Sequence, residues 1–291
     1  MNIGLLDIDS HNFPNLALMK ISAWHKSQGH NIGFATMFER YEIIYKSKVF
    51  TWTYDDEYAY NCDHYISGGT GYGLNDLWLE DKIHNICPDY SLYNCEHAYG
   101  FLTRGCIRKC KWCIVPEKEG DIRPEHDIKD FIADKKSAIL MDNNVLASEH
   151  GIRQIEKIIK LGIKIDFNQG LDARLIDDSI AKLLSKVKWL SSVRLACDNQ
   201  KMMESVRKAV ELLRWYNCTP RRYFVYCLVE DVSEAMERVK FLKGIYTEPF
   251  CQPYRDFENN IEPTKEQKDF SRWVNQTAIF NSVLWGDYEI H

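Results

Sequence analysis

From residue 99 to about 257 the chain repeats one pattern: a short run of β-branched, aromatic and other apolar residues, a polar break, then a stretch with apolar residues at three- and four-residue spacing. Alternation of that kind specifies parallel strands joined by crossover helices. A strand buried on both faces reads as continuous apolar sequence, whereas a helix buries one stripe. The expected strands are YGFLTRG, SAILMDNN, KIDFNQG, SVRLACD, RYFVYCLV and EPFCQPYRD. Between them fall the expected helices IKDFIADK, GIRQIEKIIKLG, SIAKLLSKV, MMESVRKAVELLRWY and VSEAMERVKFLKGIY. Six such units are fewer than the eight of a closed barrel, so the expected fold class is α/β with a partial (β/α)6 TIM-like barrel.

The segment before it is shorter. NIGLLDID reads as a buried strand, ALMKISAWHKSQGH as an amphipathic helix ending near Gly29, and NIGFATMF as a second strand. Turns follow, and DHYISGGTGYG supplies another strand that runs into a glycine-rich turn. This is a small, truncated Rossmann-like α/β domain. The expected division is 1–95 for that domain, 96–258 for the partial barrel, and 259–291 for a C-terminal helical extension built on TKEQKDFSRWVNQTAIF and an aromatic tail.

Of the 291 residues 45% are hydrophobic, enough for a substantial core. With 37 basic against 42 acidic side chains the net charge is -5, so nothing draws the chain over long range to nucleic acid or an anionic membrane. Every apolar run is broken well short of the roughly 20 residues that span a bilayer. The opening MNIGLLDIDSHNF lacks the basic start and long apolar segment of an export signal. The expected setting is cytoplasmic, where the ten cysteines stay reduced and a cluster of them points to metal.

One such cluster is dense. Cys106, Cys110 and Cys113 form CxxxCxxC in a loop at the end of GFLTRG. Three thiolates on one short loop converge on one centre, and an iron–sulfur cluster with four irons held by three cysteines leaves one iron open to a ligand. A zinc site would need a fourth donor nearby, and neither a second CxxC nor a spaced histidine pair is present. Chance packing of core cysteines conflicts with Arg108, Lys109 and Lys111 between them. Those cations and Arg104 suit an electron-rich cluster and a docking face for an electron donor.

CxxxCxxC at the end of the first strand of a partial barrel, with aromatic Trp112 before the last cysteine, resembles the radical S-adenosylmethionine superfamily over residues 99 to about 257. The resemblance implies a [4Fe-4S] cluster on Cys106, Cys110 and Cys113 and S-adenosylmethionine as cofactor. It also implies reductive cleavage of that cofactor to a 5'-deoxyadenosyl radical, and hydrogen abstraction from a substrate that the sequence does not identify. It further implies a partner that delivers electrons, such as flavodoxin or ferredoxin. GFLTRGCIRKCKWCIVPEKEG and SGGTGYG resemble members with an N-terminal cobalamin-binding-like domain. Cobalamin itself is not expected, because Asp9-Ser10-His11-Asn12-Phe13-Pro14 lacks the glycine of the DxHxxG signature.

In the superfamily the cofactor's amine meets a polar strand end after the second strand. Here that position holds Asp142, Asn143 and Asn144, which are assigned to it. The next strand end carries Asn168, Gln169 and Asp172, whose polar groups suit the ribose or the substrate, with Gly170 permitting close approach. Arg194 inside an apolar strand either forks onto the cofactor's carboxylate or pairs internally with Asp166 or Asp172. Tyr254 and Arg255 close the last strand near the opening. Cys197, Cys218, Cys227 and Cys251 are dispersed, which favours packing and a single cluster. A narrower version of the radical-enzyme reading, methylthiotransferase-like modification of RNA, would need a basic appendage that the acidic tail GDYEIH does not offer. Two readings from other classes stay open: a non-catalytic iron–sulfur protein for electron transfer or redox sensing, and a zinc-stabilised binding module.

Overall fold

A computed structural model of the protein describes residues 1–11, 13–74, 79–256, 259 and 261–288. Asn12 of the DxHxxG comparison and the last three residues of the GDYEIH tail lie outside the described residues. In chain order the first elements are β1 (Asn2–Asp7), α1 (Leu16–Ser27), β2 (Asn31–Phe34), β3 (Arg40–Ser47), β4 (Asn61–Gly68) and α2 (Asp81–His84). Then come β5 (Ala98–Gly100), β6 (Thr103–Arg104), α3 (Val115–Lys118), β7 (Arg123–Pro124), α4 (Ile128–Ile132), β8 (Ser137–Leu140), α5 (Glu149–Leu161) and β9 (Lys164–Phe167). The remainder is α6 (Asp178–Leu184), β10 (Lys188–Trp189), β11 (Ser192–Ala196), α7 (Met203–Trp215), β12 (Arg222–Val229), α8 (Val232–Gly244), β13 (Glu248–Pro253), α9 (Lys265–Asn275) and α10 (Thr277–Ser282). Among the described residues no helix is long and apolar enough to cross a membrane.

The chain divides into two compact units, Met1–Gly100 with His126–Ser137, and Phe101–Glu125 with Ala138–His291. In the first, a parallel sheet runs β2-β1-β3-β4. Leu5 of β1 packs with Leu18 and Ile21 of α1 and with Ile83 of α2, while Leu6 faces Tyr41 and Ile44 on the other side. Full burial of each such aliphatic side chain contributes about 2 kcal/mol. Asn15 caps α1 by accepting from the Leu18 N–H at 3.2 Å, and Gly29, at φ +72°, lets the chain leave it in a left-handed turn. Strand β3 was not anticipated from the sequence. Adjacent Ile43 and Ile44 interrupt its alternation and Arg40, Glu42 and Lys46 dilute it, yet it sits between β1 and β4 as an interior strand.

The second unit is mixed α/β, with its strands laid side by side nearly in sequence order. β8, β9 and β10 are neighbours, and β11-β12-β13 form a parallel sheet. β10 and β11 are successive pieces alongside one neighbour: Lys188 and Trp189 pair with Lys164 and Ile165, and Leu195 then bridges Leu171. Helices fill the crossovers, as the apolar spacing predicts. In α7 the buried residues are Val206, Ala209, Val210 and Leu213. Arg238 of α8 is fully buried, and donates to the carbonyls of Cys197 and Leu228 at 2.7 Å each, fastening α8 to the ends of β11 and β12. The exposed ladder of edge strand β13 is closed by Asn275 of α9, which accepts from the Cys251 N–H at 2.7 Å and donates to its carbonyl at 2.8 Å.

Candidate metal and cofactor centre

The expected strand YGFLTRG is two pieces. At Leu102 and Thr103 the backbone N–H groups turn to the Asp142 carboxylate, at distances between 2.6 and 3.3 Å, and the Thr103 hydroxyl joins them at 2.7 Å. The chain resumes as β6 and pairs antiparallel with β7, Thr103 against Pro124 and Arg104 against Arg123. This clasp brings together the two ends of the loop that carries the cysteines. Gly105 opens the loop at φ +80°, where an added Cβ would stand 2.2 Å from the Asp121 carbonyl oxygen. Glu119, buried, ties the loop from within: it accepts from Arg104 Nη1 at 2.9 Å, from the Gly105 N–H at 3.0 Å and from Asn143 Nδ2 at 2.8 Å. Arg104 also lies over the Phe101 ring at 3.3 Å and pairs with Glu125.

Inside the clasp, the Cys106 N–H donates to the Gly120 carbonyl at 3.2 Å, and the Cys113 N–H to the Cys110 carbonyl at 3.0 Å. The Cys106 sulfur accepts from the Arg108 N–H at 3.3 Å and from Asn144 Nδ2 at 3.4 Å. Burial pushes the Cys110 thiol up. Arg174 opposes that shift, while Cys106, Asp198 and Asp172 add to it. Cys113, exposed by accessible surface, has its thiol pushed up first by desolvation, against the Val115 N–H that opposes it. A bound cationic centre is what would turn such thiols into thiolates, since metal ligation outcompetes the proton.

The polar strand ends gather around this loop with distinct duties. Asp142, only 2% exposed, is committed to the backbone of Leu102 and Thr103; burial pushes its carboxyl up to about 6, outweighing the hydrogen bonds it accepts. Asn143 donates to Glu119. Asn144 is also buried, 3% exposed. Its amide nitrogen reaches Cys106 and the Asp172 carboxylate at 3.4 Å each, while its Oδ1 is buried with no hydrogen-bond donor among the described residues. Asp172 accepts from Arg108 Nε at 3.0 Å and from Arg174 Nε and Nη2 at 2.6 and 3.0 Å. Burial would raise its carboxyl, but the two guanidinium groups hold it below the usual range.

Gln169 is exposed in the turn that Gly170 closes, Asn168 is half-buried beside it, and the Asn168 carbonyl accepts from the Tyr226 hydroxyl at 2.9 Å. Trp112 is half-buried on the loop. Arg194 makes the internal pair: its Nε and Nη2 close on Asp166 at 2.7 and 2.8 Å, and its Nη1 donates to the Tyr226 hydroxyl at 3.2 Å. Glu119 was not singled out in the sequence, and Asp198 only as part of the polar strand end CDN. Asp198 sits at the end of β11, accepts from the Leu228 N–H at 3.1 Å, and bears electrostatically on Cys110 and Cys113. Glu119 has no local signature, since it meets its partners from a distance in sequence. The dispersed cysteines Cys197, Cys218, Cys227 and Cys251 are buried.

No protein-family model matches the chain, and no curated protein matches it. Among solved structures, it is similar to Streptococcus suis SuiB. The crystal structure of SuiB bound to S-adenosylmethionine aligns with a TM-score of 0.44 at 12% identity, over 63% of this chain and 48% of SuiB. SuiB bound to precursor peptide SuiA aligns with a TM-score of 0.43 at 13% identity, over 62% and 44%. The chain thus spans under half the length of SuiB in either alignment.

Proposed function

We propose that this chain is an iron–sulfur enzyme of the radical S-adenosylmethionine type, in which Cys106, Cys110 and Cys113 hold a [4Fe-4S] cluster. The observation that carries the proposal is a three-thiol loop clasped by β6 and β7, with the buried Asn144 Oδ1 left without a donor among the described residues, beside Cys106. A buried amide oxygen in that state costs roughly 1 to 3 kcal/mol unless a ligand supplies the hydrogen bond. A cofactor ammonium group is such a ligand, and a donor set of three soft thiols suits iron and sulfide. When bound, the cluster would supply one electron to split the carbon–sulfur bond of S-adenosylmethionine, giving a 5'-deoxyadenosyl radical that takes hydrogen from a substrate.

The chain's own residues bind and orient. Asn144 accepts from the cofactor amine, and Asn143 shares the same strand end. Asn168 and Gln169 face the ribose or the substrate, and Trp112 shields the loop. Asp142, Asp172 and Arg194 are positioning residues in this scheme: Asp142 fixes the start of the loop, Asp172 holds Asn144 between two arginines, and Arg194 braces β9 against β11 through Asp166. The strands from β5 to β13 are read as the partial (β/α)6 barrel, and residues 1–95 as the truncated Rossmann-like domain. Exposed Ile107 and Ile114 with Lys109 and Lys111 form the face for an acidic electron donor of the flavodoxin or ferredoxin kind, in a reducing cytoplasm.

The test is anaerobic reconstitution with iron and sulfide, then dithionite and S-adenosylmethionine, with chromatography for 5'-deoxyadenosine. The nucleoside is expected from the wild type and from Cys218→Ala, and neither iron nor nucleoside from Cys110→Ala. A four-iron protein that yields no nucleoside, and whose cluster EPR signal ignores the cofactor, would remove the enzyme reading.

A further inference from the structure

Lys111 of the cysteine loop meets Glu230 just past the carboxyl end of β12, at 2.7 Å. At the opposite, amino ends of β12 and β13 a cleft of about 410 Å³ opens between the start of β12, the turn after α8 and helix α10. A cavity of that size falls in the range that takes small organic ligands.

Its charge is unbalanced. Arg222 is spent, since it pairs with both oxygens of Glu248 at 3.0 and 3.2 Å and donates to the Ser192 hydroxyl at 3.0 Å. Arg221 and Lys243, which also line the cleft, have no carboxylate partner among the described residues, and Lys243 lies 4.8 Å over the Phe280 ring. Two cations lining one cleft without a carboxylate partner among the described residues invite an anion.

The rim supplies a second, independent observation. Tyr246 follows α8 at φ +57°, a helix exit that glycine ordinarily fills, and its side chain is 85% exposed. A bulky residue in that conformation costs about 1 kcal/mol or more. The turn is braced from α7 by Arg214, which donates to the Ile245 and Tyr246 carbonyls at 2.9 and 2.8 Å. The protein thus tolerates a strained turn that holds an aromatic ring at the edge of a cationic cleft.

We propose that this cleft binds a nucleoside monophosphate, with the phosphate between Arg221 and Lys243 and the base stacked on Tyr246. Asn281, also on the cleft wall, has the amide to read the base edge. A bare phosphate would leave most of the volume unfilled, and a nucleic acid strand would need a longer track of cations.

The full chain is titrated with AMP by calorimetry in saturating S-adenosylmethionine, so that any adenosine site beside the cysteines is already filled. Saturable binding is expected, at least about tenfold tighter than for adenosine or for inorganic phosphate alone. Arg221→Ala with Lys243→Ala should weaken it about tenfold or more, since hydrogen bonds to charged groups are worth that much. Tyr246→Gly should weaken AMP binding while leaving the melting temperature unchanged or higher, because the turn is relaxed. No AMP heat under these conditions, phosphate binding as tightly as AMP, or indifference to the paired alanines would each overturn the proposal, whatever becomes of the cluster chemistry.

Discussion

Asp142 illustrates how one side chain sets the entrance of the loop. Three backbone and hydroxyl donors favour its ionised form, yet complete burial wins and pushes the carboxyl up to about 6 from the 3.8 of a free aspartate. The folded protein therefore holds this proton more tightly than the unfolded chain does. Its contribution to stability is fully present below the unfolded value and is lost as the pH rises through about 6. A shift of this size corresponds to roughly 1 to 3 kcal/mol. In Asp142→Asn, neutral at every pH, that part of the slope should vanish, although the amide loses hydrogen bonds to Leu102 and Thr103 and the variant is less stable at low pH. Urea denaturation of both proteins at about pH 4 and about pH 7 measures the difference. Identical pH dependence in the two would mean that the carboxyl is solvated. The role itself was not readable beforehand. The sequence placed Asp142 at a strand end and gave it a charge, but that charge is consumed by backbone 39 and 40 residues earlier.

At the scale of elements, the clasp of β6 and β7 makes the loop a defined structure instead of a tether. Its tightest point is Gly105, where φ is +80° and the Asp121 and Gly120 carbonyl oxygens stand 2.2 and 2.7 Å from an added Cβ. Both obstacles are backbone, so neither yields as a flexible side chain would. Gly105→Ala should cost more than about 2 kcal/mol and lower the iron bound on reconstitution, read by denaturation and iron analysis. Gly244→Ala, at an end of α8 where nothing lies within 4 Å, is the control and should change stability by less than about 0.5 kcal/mol. Equal losses in the two variants would show that the clasp is not tight. Helices were the most legible elements because one buried stripe writes itself into the sequence every three or four residues, as in α7. Strand β3 and the two-residue pieces β7 and β10 were not, since they are short or irregular and owe their pairing to partners elsewhere in the chain. The cysteines stood out because metal chemistry needs them close in sequence; Glu119 did not, because a buried carboxylate that ties three groups has no spacing rule.

Over the whole molecule, a ligand that binds only the folded chain raises its stability by mass action, and this gives the proposed site a readout free of turnover. At a concentration about a hundred times its dissociation constant, S-adenosylmethionine should add about 2.7 kcal/mol. For a cooperative unit of this size each kcal/mol moves the melting temperature by about 2 to 4 °C, so a rise of roughly 5 to 10 °C is expected in anaerobically reconstituted protein. Asn144 and the cysteines lie on one side of the requirement and the buried, dispersed cysteines on the other. Cys110→Ala should lose most of the rise because the centre that completes the cofactor site is missing, whereas Cys218→Ala, remote from the loop, should keep it. If the cofactor stabilises the Cys110→Ala protein as much as the wild type, it binds somewhere other than beside the three thiols, and the assignment of Asn144 to its amine falls with that result.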